Sequence, residues 1–265
     1  MDILTHTLSG IAVGTVLAGF SKKGFLEKLS IVSLSGFGGA FPDFDAISLW
    51  SKFDQTIGKL FGLKNTGKEI YSSKFWYSHH AFLHSLLAAI IISLCFGVII
   101  WLIQGKRNQN ILVAIKQSKL LLLGFTIGFI CHLFEDMPTP GGSWGGVNFF
   151  WPLKTYLGGT GKIWWWNNYD IFLIVLSVVF LNLVVLGLGK YLKNKTKIIS
   201  LALFIFGVIL ISNQIRNRHF DFNYIGQTKQ FQTNEQKSKE IQKEILGVRL
   251  YELMEKFGEK IKINF

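Results

Sequence analysis

Five of the six histidines in this 265-residue chain fall in four short segments, each with a carboxylate or a second histidine close by. The segments are Thr5-His6, Pro42-Asp43-Phe44-Asp45, His79-His80 with His84, and His132 with Asp136. Imidazole and carboxylate together form a ligand set for zinc and other divalent metals. A metal so held lowers the pKa of its bound water from 15.7 to about 7 and polarises the group under attack, which is hydrolytic chemistry.

Each segment also has an ordinary explanation. His132 and Asp136 are four residues apart and share one face of a helix, which suits two ligands of one metal or a helix-end hydrogen bond. Pro42 disfavours helix at Phe41 and marks a turn. Of the two carboxylates that follow, Asp43 suits a ligand or a cap for the next helix, and Asp45 is the less certain ligand. In His79-His80-Ala81-Phe82-Leu83-His84, the His80/His84 pair has helical spacing, and His79 converges with His84 if the helix starts between them. One of these three is expected to orient a ligand rather than bind. By itself, His6 reads as a satisfied interfacial histidine, and His219 as ordinary surface.

These segments matter because of the elements that carry them. The chain is 49% hydrophobic and only 17% charged, with a mean hydropathy of +0.35, too apolar for a soluble domain of this size. Runs from Leu4 to Phe20, Leu29 to Phe41, Phe82 to Ile103, Leu120 to Phe134, Ile171 to Gly189 and Ile198 to Ser212 suggest six membrane spans, with four as the lower count. The Leu29–Phe41 run is the weakest; its glycines and serines predict a helix packed among others rather than one facing lipid. The fold class is therefore an all-α polytopic bundle over residues 1–213, followed by a polar tail, 214–265. In that tail Ile241, Ile245, Val248, Leu253 and Phe257 predict an amphipathic helix over 234–261. It would lie on the membrane, cover the site or stand in solvent.

The net charge is +12. The lysines sit in short loops between apolar runs, which speaks for membrane topology and against nucleic-acid binding. Loops 21–28, 104–119 (with Lys106 and Arg107) and 190–197 carry the excess and should be cytoplasmic. All four histidine and aspartate segments then meet at the extracytoplasmic face. Segment 46–78, with five lysines against Asp54 and Glu69, is basic for an outside loop.

Residues 1–20 lack a basic n-region, so no cleavable signal peptide is expected. Cys95 and Cys131 lie in apolar runs and predict neither a disulfide nor a zinc finger. There is no His-Glu-x-x-His and no Gly-x-Ser-x-Gly. The glycine-rich stretch 139–146 lacks a P-loop lysine and reads as a turn or as backbone open to substrate. Trp144, Trp151 and Trp164-Trp165-Trp166 suggest an interfacial belt, with stacking on a substrate as the sharper alternative.

As a series, these motifs resemble the YdjM-type family of bacterial inner-membrane proteins, regarded as metal-dependent hydrolases. The family pattern is an early Thr-His or Gly-His, Pro-Asp-x-Asp, His-Arg-Gly-x-x-His-Ser, His-x-x-x-Asp with Thr-Pro, and a later Trp-Pro. Here these are Thr5-His6, Pro42 to Asp45, His79 to Ser85, His132 to Asp136 with Thr139-Pro140, and Trp151-Pro152. Order and spacing agree over about residues 1–152. The chain departs at His80 and Ala81, where the family has Arg-Gly. The resemblance implies His79 and His84 as ligands and His80 in place of a phosphate-contacting arginine. A fainter similarity to the helical zinc-dependent phospholipase C and nuclease group implies that Asp136 bridges two metals.

Residues and resemblance together lead to the following expectation. His6, Asp43, His79, His84, His132 and Asp136 hold one or two divalent ions, zinc before manganese or magnesium. Asp45, next in line as a ligand, or Glu135 serves as general base. The substrate is an amphiphilic phosphoester at the bacterial inner membrane, and the bilayer is the partner. A metal-binding transporter or sensor, or a structural membrane protein stabilised by a metal, stands as the alternative.

Overall fold

The computed structural model describes residues 2–103, 110–218, 221–222 and 228–261, and no β-ladder longer than an isolated bridge occurs among them. His219, Lys106 and Arg107 lie outside the described residues. The helices are α1 (Ile3–Phe20), α2 (Phe25–Ala40), α3 (Gly67–Ser72), α4 (Leu86–Ile103), α5 (Ile111–Gln117), α6 (Lys119–Asp136), α7 (Tyr169–Gly187), α8 (Gly189–Leu192), α9 (Lys195–Arg216), α10 (Thr228–Leu246) and α11 (Val248–Ile261).

Four of these, α1, α4, α7 and α9, are long and apolar enough to cross a membrane; α5 with α6, bent by 70°, makes a fifth. The count meets the lower expectation of four rather than six. Two runs account for the difference: the 16 residues of α2 rise about 24 Å, against about 27 Å for the 18 of α1 and α4 and a ~30 Å hydrocarbon core, and α6 qualifies only together with α5. Large apolar side chains face outward on the spans, among them Leu94 and Leu102 of α4, Phe180 of α7 and Phe206 of α9. That is the face a helix turns to lipid rather than to water.

Helix α2 is wedged between α1 and α6, with no room for side chains at the crossings. A Cβ at Gly128 would stand 2.1 Å from the Ser35 carbonyl oxygen, and one at Gly39 would stand 2.3 Å from the His6 carbonyl oxygen. Ser35 Oγ donates to the Gly124 carbonyl at 2.8 Å. Small residues are what let helix backbones approach this closely in lipid, where no hydrophobic force drives helices together. Beside this contact, Phe125, Phe129 and Leu133 of α6 pack with Ala88 and Ala89 of α4 and with Val147 and Phe149.

The consequence is directional. Helices α1, α4 and α7 begin at one end of the bundle, and α2, α6 and α9 finish there. At this end Asp170 and Arg218 form a buried ion pair, with Asn168 Oδ1 3.0 Å from Arg218 Nη1. The tail docks at the same end. Trp165 donates its indole N–H to Glu235, and Gln242 accepts from the Tyr169 amide at 2.7 Å and donates to the Asn167 carbonyl at 2.6 Å. The single tail helix expected over 234–261 is two helices. Gly247, at φ +74°, breaks it with a backbone conformation that glycine adopts without cost.

Candidate metal centre

Four elements deliver the site. Asp2 caps α1, its carboxylate accepting from the Thr5 amide at 2.9 Å and the Thr5 hydroxyl at 2.6 Å, which places His6 in the opening turns. Beyond α2, Pro42 opens a 3-10 turn, Pro42–Leu49, that carries Asp43 and Asp45. His79, His80 and His84 lie in the irregular approach to α4. Here His80 takes φ +62°, and its carbonyl accepts from the Asn148 amide at 2.9 Å. A non-glycine residue in this region is uncommon and clusters at functional sites. His132 and Asp136 share the inner face of α6's last turns.

Four of the five imidazoles are hydrogen-bonded at Nδ1, and the fifth, His84, faces a carboxylate there without a hydrogen bond of proper geometry. His6 Nδ1 lies 2.7 Å from Glu135 Oε2, and His79 Nδ1 2.6 Å from Asp45 Oδ1. His80 Nδ1 lies 2.9 Å from the Gly146 carbonyl and His132 Nδ1 2.7 Å from the Gly39 carbonyl. His84 Nδ1 faces the second oxygen of Asp45 at 3.1 Å. A ring nitrogen beside a carbonyl or carboxylate keeps its proton, which in the neutral ring a metal requires leaves the other nitrogen with a free lone pair.

Those other nitrogens converge. His132 Nε2 is 3.3 Å from His84 Nε2, 3.0 Å from Asp136 Oδ2 and 3.6 Å from Asp43 Oδ1. His84 Nε2 is 3.5 Å from Asp136 Oδ2 and 3.9 Å from Asp43 Oδ1. In a tetrahedral zinc site with bonds of about 2.0–2.1 Å, neighbouring donors stand about 3.3–3.4 Å apart. The Asp43, His84, His132 and Asp136 donors all lie within 4.8 Å of one another, and the five distances above, 3.0–3.9 Å, fall on either side of that spacing. His6 Nε2 adds a fit test of its own. It is fully buried 3.1 Å from Asp136 Oδ1, yet makes no hydrogen bond of proper geometry. A buried lone pair without a donor is costly unless a cation meets it. A second group, His79, His80 and His84, also brings its donors within 4.8 Å, and His80 Nε2 stands 3.7 Å from Asp136 Oδ2.

The charges outside the spans follow from this packing. Burial works against the Asp45 carboxylate, but His79 and His84 beside it hold its pKa well below the usual range. Burial alone would lower His84; the facing Asp45 and Asp136 outweigh it and raise the pKa to about 10. His80 is pushed well below its ordinary value by burial and by its neighbours His79 and His84, and so stays neutral.

The centre is roofed by aromatic rings. Tyr71 stacks on His79 at 4.6 Å, and Trp144 lies 4.7 Å over His80, its indole donating to the Tyr71 carbonyl at 2.5 Å. Asp43 at 13% and Glu135 at 20% side-chain exposure are the more open edge. Trp144, Trp164 and Trp165, expected in an interfacial belt, are buried instead, because each indole N–H has an acceptor inside the protein: the Tyr71 carbonyl, the Glu135 carbonyl and Glu235. The structure brings together all nine residues singled out in the sequence. Asp45 and Glu135, expected as spare carboxylates, both have oxygens on imidazole Nδ1 atoms. Sequence reasoning missed the Gly39 and Gly146 carbonyls, which carry no side-chain signal. It also missed Tyr71, and it did not give Trp144 its place over the histidines, although the flanking glycines were a clue.

No curated protein and no solved structure matches this chain. The family model described as YdjM inner membrane protein matches residues 1–220, which takes in every ligand candidate and all five potential spans and stops short of α10 and α11. The chain, an integral membrane protein by its apolar helices, belongs to the YdjM inner membrane protein family.

Proposed function

We propose that this protein is a membrane-bound, metal-dependent hydrolase that cleaves a phosphoester of a lipid or other amphiphilic substrate at the extracytoplasmic face. The observation that carries the reading is a set of imidazoles, four hydrogen-bonded at Nδ1 and His84 facing Asp45, in which the Nε2 atoms of His6, His80, His84 and His132 approach the carboxylates of Asp43 and Asp136. Asp43, His84, His132 and Asp136 would hold one ion, with zinc favoured by the mixed nitrogen and oxygen donors and their spacing. His6, His79 and His80 stand around them, with Asp136 placed to be shared by a second ion. When bound, the metal supplies a water of lowered pKa and a Lewis acid for the phosphoryl oxygen.

The chain's own residues then divide the work. Asp45 and Glu135 orient imidazoles and keep their Nε2 lone pairs free. His80, donating from Nδ1 to Gly146, would offer its Nε2 lone pair to the attacking water. Tyr71 and Trp144 keep bulk water off the histidines. Phe44, Ile47, Trp50, Trp76 and Leu153 are exposed beside the ligand segments, with Lys52, Lys74 and Lys154 among them, a surface for an amphiphilic anion. The lysines at the far end, Lys22, Lys23, Lys116, Lys190, Lys193, Lys195 and Lys197, support a cytoplasmic assignment for that end and an outer one for the centre.

Purified protein should carry one or two zinc ions per chain, and a His84→Ala/His132→Ala double variant should carry none. A panel of lipid phosphoesters should include one that is hydrolysed until a chelator is added. Equal metal in both proteins rejects the centre. Metal binding with no turnover across the panel rejects the hydrolase and favours a transporter, a sensor or a structural metal.

A further inference from the structure

At the end of the bundle away from the histidines, the turn between α1 and α2, the last turn of α4 and the α5–α6 bend border an open cavity of about 540 Å³. Three lysines stand at it. Lys23 ties the two loops together, its Nζ 3.4 Å from the Gln117 carbonyl and 2.9 Å from Glu27. Lys22 and Lys119 have no ion-pair partner among the described residues. Among the described residues Glu27 is the only acidic group lining the cavity, against Lys22, Lys23 and Lys119, so their net charge is positive. The walls are apolar: Phe20, Leu26, Ile103 and Leu120.

Two properties select the occupant. Lysines without carboxylate partners call for an anion. The apolar walls and the volume call for hydrocarbon, which a free oxyanion lacks. The position agrees, because α1 ends at Phe20 and α4 at Ile103, so the cavity opens where spans leave the hydrocarbon and lipid head groups lie. Basic pockets between spans at the cytoplasmic side are where anionic head groups bind. We propose that this cavity is a binding site for an anionic phospholipid. Its phosphodiester meets Lys22 and Lys119, and its acyl chains run over Phe20, Leu26 and Ile103. The site is separate from the metal centre and independent of the hydrolysis, and it rests on the proposed function only for the cytoplasmic placement of this end.

Native mass spectrometry of the full chain, released from detergent in the presence of defined lipids, tests this. Phosphatidylglycerol should be retained and phosphatidylcholine should not. At roughly 1 kcal/mol per lysine, Lys22→Gln or Lys119→Gln should each weaken retention about fivefold, and the pair about 25-fold. A Lys190→Gln/Lys193→Gln pair, elsewhere on the same side, should leave retention unchanged. An unchanged thermal midpoint shows that each variant is folded. Equal retention of the two lipids, wild-type retention by the Lys22→Gln/Lys119→Gln variant, or an equal loss in the Lys190→Gln/Lys193→Gln control would overturn the proposal. Displacement of the lipid by millimolar inorganic phosphate would also overturn it, by showing that the anion alone occupies the site.

Discussion

Replacing Asp45 with asparagine keeps its shape and removes its charge, and the structure fixes what should follow. The carboxylate touches two imidazoles, His79 Nδ1 at 2.6 Å and His84 Nδ1 at 3.1 Å. An asparagine turned to present its NH2 group donates to a ring nitrogen. The imidazole must then carry its proton on Nε2, where it blocks the lone pair a metal needs. Loss of one orienting partner costs tenfold to a hundredfold in metal affinity. With two rings released, one of them in the four-donor group, Asp45→Asn should weaken zinc binding about 100-fold, or about 2.7 kcal/mol. Glu135→Gln frees one ring, His6, from a more exposed partner and should cost about tenfold. Chelator competition in detergent reads both dissociation constants, and the thermal midpoint of the metal-free protein confirms folding. If Asp45→Asn binds zinc within threefold of wild type while turnover is lost, Asp45 is a proton acceptor and the orienting argument is refuted. The same argument fails if Glu135→Gln is the more damaging change.

Other consequences are as direct. In metal-free protein, the raised pKa of His84, about 10, stabilises the fold fully below the unfolded value near 6.5 and is lost as pH rises through about 10. The thermal midpoint with chelator present should therefore fall across that window, and His84→Gln should flatten the slope. Gly128→Ala drives a methyl into the Ser35 carbonyl and should cost about 1–3 kcal/mol in an unfolding titration, with zinc affinity falling as α2 moves off α6. Arg218→Met leaves Asp170 buried without its partner and should cost about 3–5 kcal/mol, most of it recovered in Arg218→Met/Asp170→Leu. In a Cys95→Ser/Cys131→Ser background, an impermeant maleimide should reach Asn194→Cys only from the cytoplasm and Lys154→Cys only from outside.

What the sequence made legible was residue type and spacing. His132 and Asp136 shared a helix face as their separation required, and the glycines and serines of α2 announced a helix packed against others. The lysine-rich loops gathered at one end, and that placed the histidine segments together at the other. What it hid was the work of backbone atoms and of side chains distant in sequence. The carbonyls of Gly39 and Gly146 hold imidazoles, but any residue has a carbonyl. Asp45 and Glu135 looked like free bases because their imidazole partners lie 34 and 129 positions away. The tryptophans at 144, 164 and 165 looked interfacial because nothing local shows that an indole N–H has an acceptor inside the protein. The 70° bend between α5 and α6 likewise has no proline to mark it.

The scatter of the ligands along the chain also sets a clock. His6 is made 130 positions before Asp136, which it faces at 3.1 Å. At synthesis rates of 5–20 residues per second, that is a wait of roughly 6–26 s. During it the nascent α1 carries an unpartnered imidazole that must stay out of hydrocarbon. The four-donor group cannot close until α6 has entered the membrane and met α2. Capture of a metal by this group would therefore follow the insertion of α6 and could not guide the insertion of α1, α2 or α4.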